Sequence, residues 1–266
     1  MIKNMGVFKD FSDNSLKSVF EGENHEIIEM SLLANKEQMD VVCVPTHHFC
    51  SLGCKMCHLT RDGLNKKMIP IETKDFIECL VRTVTIDGKS RRTNKEKLLI
   101  SFMGVGEPLL NLKLIEEVYM NEKVIKEKFK YKTIGYALAT MMPNDNIVKL
   151  HRTNDPVEIH YTLISEVNDG KEELGKVCEL LEDVKIPIKF IRFNPTGTLQ
   201  RSVNETKWIE TITQKVPNLR IKTYAPPGRQ IGSSCGEFTK HYYHQEIETQ
   251  EEREAFEKWK IKHQIA

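Results

Sequence analysis

The sequence predicts an α/β protein built on a partial, open (βα)6 barrel, with parallel strands inside and helices outside. Strand-like and helix-like segments alternate through most of the chain. About six strand–helix repeats can be counted from the strand that ends near Cys43. Two loops rich in chemistry-bearing residues each follow a strand, where parallel barrels carry their active sites.

Residues 1–24 read as a short lead-in, residues 25–240 as the core, and residues 241–266 as a charged C-terminal helix. Strands are expected at 26–33 and 40–44, around a turn at Asn35 and Lys36, the second leading into a cysteine loop. Apolar residues at helical spacing place a helix over 72–84. The apolar run 97–103 is a strand, and Pro108 just beyond it opens the way to a helix from about Asn111. A strand at 132–138 and a short helix at 144–151 follow. The alternation closes with strands at 157–164, 186–191 and 219–224, separated by helices at 169–181 and 205–215.

Composition bounds the partners. The 266 residues carry 39 Lys and Arg against 38 Asp and Glu, so no global field advertises a nucleic acid. Basic runs at 65–67, 89–92 and 126–132 read as solvated loops and helix faces. No apolar stretch approaches a membrane span, and the N-terminus lacks the apolar core of a signal peptide. Seven cysteines, clustered rather than dispersed, fit a reducing, cytoplasmic setting better than a disulfide framework.

Cys50, Cys54 and Cys57 are the most informative residues. Three closely spaced thiolates can hold three irons of a [4Fe–4S] cluster and leave the fourth iron without a protein ligand. That open iron suits chelation by the amino and carboxylate groups of S-adenosylmethionine (SAM), whose reductive cleavage yields a radical. Zinc is the competing reading: Cys54 and Cys57 form one C-x2-C pair, and His47, His48 or His58 could complete a shell, but no second pair follows. A second loop, Gly104-Val-Gly-Glu-Pro108, supplies glycines that admit a ligand close to the backbone. Its Glu107 carboxylate can accept from a ligand ammonium group. Cys79 and Cys178 lie on apolar helical faces and read as core.

In these fragments the chain resembles the radical SAM adenosine methyltransferases RlmN and Cfr. The resemblance is carried by the run from Cys43 through Cys50, Cys54 and Cys57, and by Gly63-Leu-Asn65. It continues through Phe102-Met-Gly-Val-Gly-Glu-Pro-Leu-Leu-Asn111, Val167-Asn-Asp-Gly170, Ile191-Arg-Phe-Asn-Pro195 and Gly228-Arg-Gln-Ile-Gly-Ser-Ser-Cys-Gly236. It implies a radical SAM enzyme that methylates an adenine carbon, C2 or C8, in ribosomal or transfer RNA. It also implies an electron donor such as a flavodoxin and no membrane partner.

The implied roles are specific. Cys50, Cys54 and Cys57 hold the cluster, while Gly106, Glu107, Asn194 and Thr162 contact SAM. Cys235 is methylated by one SAM and loses hydrogen to the radical from a second, and its methylene carbon then adds to adenine. Cys43 attacks the Cys235 sulfur, releasing the methylated base and leaving a transient disulfide. Glu29 is the counterpart of the family's proton acceptor, one residue further from Cys43 than the usual pattern, with Glu26 as a poorer alternative.

The chain departs from that family in three places. Tyr136-Ala-Leu-Ala-Thr140 lacks a serine expected to contact SAM, and about one strand–helix unit is missing between Leu150 and Val157. The family's N-terminal accessory domain has no counterpart. Two other classes stay open: a radical SAM enzyme acting on a peptide or small metabolite, and a zinc-stabilised RNA-binding module.

Overall fold

A computed structural model describes residues 2–33, 39–54, 57–61, 67–85, 96–129, 131–139, 159–184, 187–193, 195, 199–225 and 249–266. Contacts divide the chain into two units, Met1–Ile147 with Pro227–Ala266, and Val148–Pro226.

The first unit is built on one sheet whose order follows the chain: β1 (Lys3–Lys9), β2 (Leu16–Glu21), β3 (Ile27–Leu33), β4 (Met39–Cys43), β5 (Lys97–Phe102) and β6 (Thr133–Leu138). β1 to β4 pair antiparallel, and β4 to β6 pair parallel. Residues 1–24, expected as a lead-in, therefore contain two full strands of the sheet. Their pattern was hard to read because β2 is buried on both faces, including at Lys17 and Ser18. Strands buried on both faces lose the alternation that marks a half-exposed one.

Side chains alternate across the sheet, and the two faces differ. One face presents Ile28, Met30, Val42, Leu98, Ile100 and Phe102 to the main core. After the single turn α1 (His58–Arg61), helices α2 (Thr73–Val84), α3 (Leu112–Met120) and α4 (Glu122–Phe129) cover it with residues such as Phe76, Leu80, Val118 and Phe129. Asp75 in the first turn of α2 and Arg82 in the last suit the helix dipole. Cys79 is fully buried in this core, as its apolar helical face predicts.

The other face is polar through its middle. Over β1 and β2 it is closed by helix α7 (Gln250–His263), which starts at a capping box between Thr249 and Glu252. Phe8 meets Trp259 at 5.1 Å between ring centroids and packs with Val19 and Ile27. Past α7, Val7 donates its N–H to the Ala266 carbonyl at 2.7 Å and accepts from Ile265 at 2.8 Å.

The second unit pairs β7 (Ile159–Tyr161), β8 (Ile188–Ile191) and β9 (Ile221–Tyr224) in parallel. Helices α5 (Lys171–Val184) and α6 (Glu205–Lys215) complete it. Leu181, Phe190, Trp208 and Ile212 form its core, with Cys178 among them. β7 ends at Tyr161, short of the expected 164, because Asn168 takes the Ile164 N–H into a side-chain bond at 2.8 Å.

The six parallel strands expected from the sequence are thus present, and among the described residues they pair as two sets of three. The Asn35 turn, the helix expected at 144–151 and Gly63-Leu-Asn65 lie outside the described residues. In the basic run 126–132, Lys126 pairs with Glu122 and Lys132 with Glu96, as a solvated face would. Among the described residues no helix is long and apolar enough to cross a membrane.

Phe8→Ala removes a fully buried ring from the α7 interface. It should lower the unfolding free energy by about 3–5 kcal/mol, seen as a reduced midpoint in urea with an unchanged slope.

Candidate active site

The cysteine loop leaves the C-terminal end of β4, and the Gly104–Pro108 loop leaves the adjacent end of β5. Backbone bonds stitch the two together. Gly104 donates to the Val44 carbonyl at 2.9 Å, and Thr46 and His47 both donate to the Val105 carbonyl, at 2.9 and 3.2 Å. On the other side, Ile71 donates to Thr46 at 3.1 Å and His48 to Ile69 at 2.9 Å.

Asn111 locks the corner. Its amide donates to the Thr46 carbonyl at 2.8 Å, while its side-chain oxygen caps α3 at Leu114. It belongs to a sequence fragment already singled out, yet its role there was not read, because the partner lies 65 positions away in the chain.

Both glycines are required by this closeness. A Cβ on Gly104 would stand 2.5 Å from the Pro45 nitrogen and 2.6 Å from the Val44 carbonyl group. Gly106 has φ +100°, and a Cβ there would lie 2.4 Å from His47 Nδ1. Glu107 is buried, and its Oε1 accepts the Leu109 N–H at 3.0 Å, opening the short 3-10 turn Pro108–Leu110. The carboxylate therefore sits rigidly beside the cysteines.

Cys50, Cys54 and Cys57 are half-buried free thiols. Burial pushes the Cys50 and Cys54 thiols up, and each is raised further by its cysteine neighbours and by Glu107. Against that, the N–H groups of Leu52 and Gly106 donate toward the Cys50 sulfur. Leu59 and Val105 pack on Cys50 and Cys57. Sulfur donors that repel one another as anions, receive N–H bonds and have an apolar backing fit an iron–sulfur cluster. Among the described residues no three His, Cys, Asp or Glu side chains converge as ligands of a single ion.

His47 and His48 are buried within the stitched segment. Burial pushes His47 down to about 4, opposed by the nearby Glu107 carboxylate. His47 is neutral near neutrality, with Nδ1 2.9 Å from Thr46 Oγ1.

Cys43 ends β4, and the register shows what surrounds it. Directly opposite are Ser31 on β3 and Ser101 on β5, while Ser31 in turn faces Lys17 on β2. Lys17, Ser31, Cys43 and Ser101 thus form one cross-strand row on the face away from the main core. Glu29 lies two residues from Ser31 on the same face, on the side toward the cysteine loop. Lys17 Nζ and Glu29 Oε2 meet at 2.9 Å, with side chains only 1% and 5% exposed. Cys43 keeps an opening to solvent but sits deep in surrounding protein. Burial pushes its thiol up to about 11, and the Lys17 charge opposes that rise.

Glu29 rather than Glu26 shares the Cys43 face. Glu26 is engaged in the β2–β3 turn, accepting the Asn24 N–H at 3.1 Å. Lys17 was missed by sequence reasoning; the available signal was a lysine inside the apolar run Leu16–Phe20.

Thr162 follows β7 in the second unit, where its carbonyl accepts from the Asn168 amide at 2.9 Å. There the Val167–Gly170 fragment forms a hub. Asp169 accepts from Ser202 at 2.6 Å and from Asn204 at 3.1 Å, bonds that hold its carboxyl below the usual range. Asn194 and Cys235 lie outside the described residues.

No protein-family model matches the chain. It is 23% identical over 273 residues to a "Dual-specificity RNA methyltransferase RlmN" from Marinomonas sp., covering 84% of this chain and 72% of that protein. It is 24% identical over 278 residues to the protein of the same name from Syntrophobacter fumaroxidans, covering 86% and 78%. The chain is a homologue of RlmN-named proteins. A radical SAM methyltransferase from Sphaerobacter thermophilus shares its fold, with a TM-score of 0.65 at 18% identity over 88% of this chain and 80% of that one. The RlmN likeness thus spans both stitched loops and the second unit. The shared α/β architecture, with parallel strands, agrees with the expected fold class.

Two outcomes test the loop geometry. Gly104→Ala should destabilise the protein by about 1–3 kcal/mol or more through overpacking, read by chemical denaturation. In acid, the unfolded chain protonates His47 near its ordinary 6.5, whereas the folded chain waits until about 4. Stability should therefore fall as pH drops through that window, since the unfolded state binds more protons. His47→Gln should flatten the decline in a series of denaturation curves.

Proposed function

We propose that the chain is a SAM-dependent RNA methyltransferase of the radical SAM class, which methylates an adenine carbon, C2 or C8, through a methyl-cysteine at Cys235. The observation that carries the reading is the stitched pair of loops at the ends of β4 and β5, with Cys43 at its base on a polar, buried face. A [4Fe–4S] cluster on Cys50, Cys54 and Cys57 and SAM beside Gly106 and Glu107 would supply the methyl group and the one-electron chemistry.

The chain's own residues do the rest. Gly106 lets backbone approach the cofactor, and Glu107 presents a fixed carboxylate to an ammonium group. Thr162, at the end of β7, and Asn194 are assigned to SAM by the sequence resemblance. Cys235 carries the carbon, and Glu29 accepts the proton displaced from the adenine ring, while the unpaired electron left by radical addition is one that the cluster would take back. Cys43, as a thiolate, attacks the Cys235 sulfur. An S–S bond forms and the C–S bond breaks, and its electron pair leaves with the carbon, which takes up a proton. A cytoplasmic setting would reduce the resulting disulfide, and a reductase such as a flavodoxin would deliver electrons to the cluster. The RNA, ribosomal or transfer, is gripped by local charge rather than by a global field.

After anaerobic reconstitution with iron, sulfide, SAM and a reductant, peptide mass spectrometry should find a methyl group on Cys235. Cys50→Ala should abolish iron–sulfur absorbance and SAM cleavage. Cys43→Ala and Cys235→Ala should leave SAM cleavage in place and eliminate methylated RNA. An unmodified Cys235 in cluster-loaded protein would sink the proposal, and methylation of a peptide or metabolite without RNA would favour the other radical SAM reading.

A further inference from the structure

Lys17 is only 1% exposed yet carries an ion pair with Glu29 in the interior. A buried pair contributes little to stability compared with apolar residues of similar volume. Its position is more informative than its energy. Lys17 faces Ser31, which faces Cys43, so ammonium, carboxylate and thiol share one polar face across three adjacent strands. We propose that Lys17 is a positioning residue: its buried ammonium holds the Glu29 carboxylate at the Cys43 end of the sheet and supplies the positive charge against which the Cys43 thiolate forms.

This inference rests on the roles given above to Glu29 and Cys43. It explains how a thiol set deep in the protein is made available beside a buried ammonium. Burial pushes Cys43 up to about 11, and among the charged groups around it Lys17 opposes that push. Among the described residues, the charged groups on this side of the sheet include Lys17 from β2 and Glu29 from β3, beside Cys43 from β4, and the buried carboxylate of Asp10 follows β1 two residues past Phe8, where it accepts from Ser12. β1 presents Phe8, β5 Ser101 and β6 Ala137 along the same row. Helix α7 closes the β1 end with Phe256 and Trp259, and its His263 bonds the Lys9 carbonyl at 3.0 Å.

The ammonium is also divided between two tasks. While paired with Glu29, it offers less charge to the thiol. When Glu29 takes up the ring proton, its carboxylate no longer competes for the ammonium, just before the Cys43 sulfur must attack. Proton acceptance and thiolate formation are then linked through one side chain.

The test reads the thiol and needs neither RNA nor SAM. In the full-length, cluster-loaded protein, the rate of Cys43 alkylation by iodoacetamide would be followed against pH by peptide mass spectrometry. Glu29→Gln removes the carboxylate that competes with the thiol for the ammonium and should lower the Cys43 midpoint relative to wild type. Lys17→Met combined with Glu29→Gln removes both charges at similar volume and leaves no unpaired carboxylate to unfold the protein. Its midpoint should stand above that of Glu29→Gln by about one pH unit or more, a tenfold change in thiolate fraction. Coincident midpoints in the two variants would overturn the proposal, leaving Lys17 a structural partner of Glu29 alone. If the midpoints separate but RNA is never methylated, the functional reading fails while the coupling stands. If RNA is methylated and the midpoints coincide, only the role of Lys17 fails.

Discussion

The sheet of the first unit must satisfy two different environments, and the ion pair between Lys17 and Glu29 is what makes the second tolerable. One face is an ordinary apolar core. The other buries a lysine, a glutamate and two serines around the half-buried Cys43. Isolated charges in such a place cost several kcal/mol each, and removing one partner of a buried pair costs about 3–5 kcal/mol. Meeting at 2.9 Å, the two charges neutralise each other and can remain where an apolar pair would pack as well. Their retention ties the polar face to chemistry more than to stability.

The same sheet positions the loops. Because β4 and β5 run parallel and side by side, their C-terminal ends are neighbours, and the segments leaving them can bond backbone to backbone. Gly104 and Gly106 permit a separation that any side chain would prevent, and Asn111 ties the far end of the second loop to Thr46. The cysteines are thus carried on a braced loop, and Glu107 is fixed by its own turn instead of waiting for a ligand. The sulfur environment that results, with N–H donors toward Cys50 and with Leu59 and Val105 packed on Cys50 and Cys57, combines the two levers that tune iron–sulfur centres, hydrogen bonding and solvent access.

The second unit uses a different device. Its parallel strands are short, and the loop that follows β7 is held by side chains together with one antiparallel bridge between Ile164 and Arg201. Asn168 and Asp169 together satisfy backbone and side-chain groups from 162 to 208, including the indole of Trp208, which donates to the Asp169 carbonyl at 3.3 Å. A four-residue sequence fragment that reads as a family signature is, in physical terms, the hinge pin of this unit's strand-end loop.

The sequence by itself determined the alternation of strands and helices, the cysteine triad, the glycine–glutamate loop and the core placement of Cys79 and Cys178. These signals are local: periodicity, spacing, and residue types with few alternatives. It could not show that residues 3–21 complete the sheet, because β2 is buried on both faces and has no alternation to read. It preferred Glu29 to Glu26 by resemblance alone, and it could not show the face that Glu29 shares with Cys43 or the pairing with Lys17. Those assignments depend on which residues stand opposite one another across β2, β3 and β4. Register is set by pairing between distant segments, and only the tertiary structure decides which side of the sheet a polar residue faces.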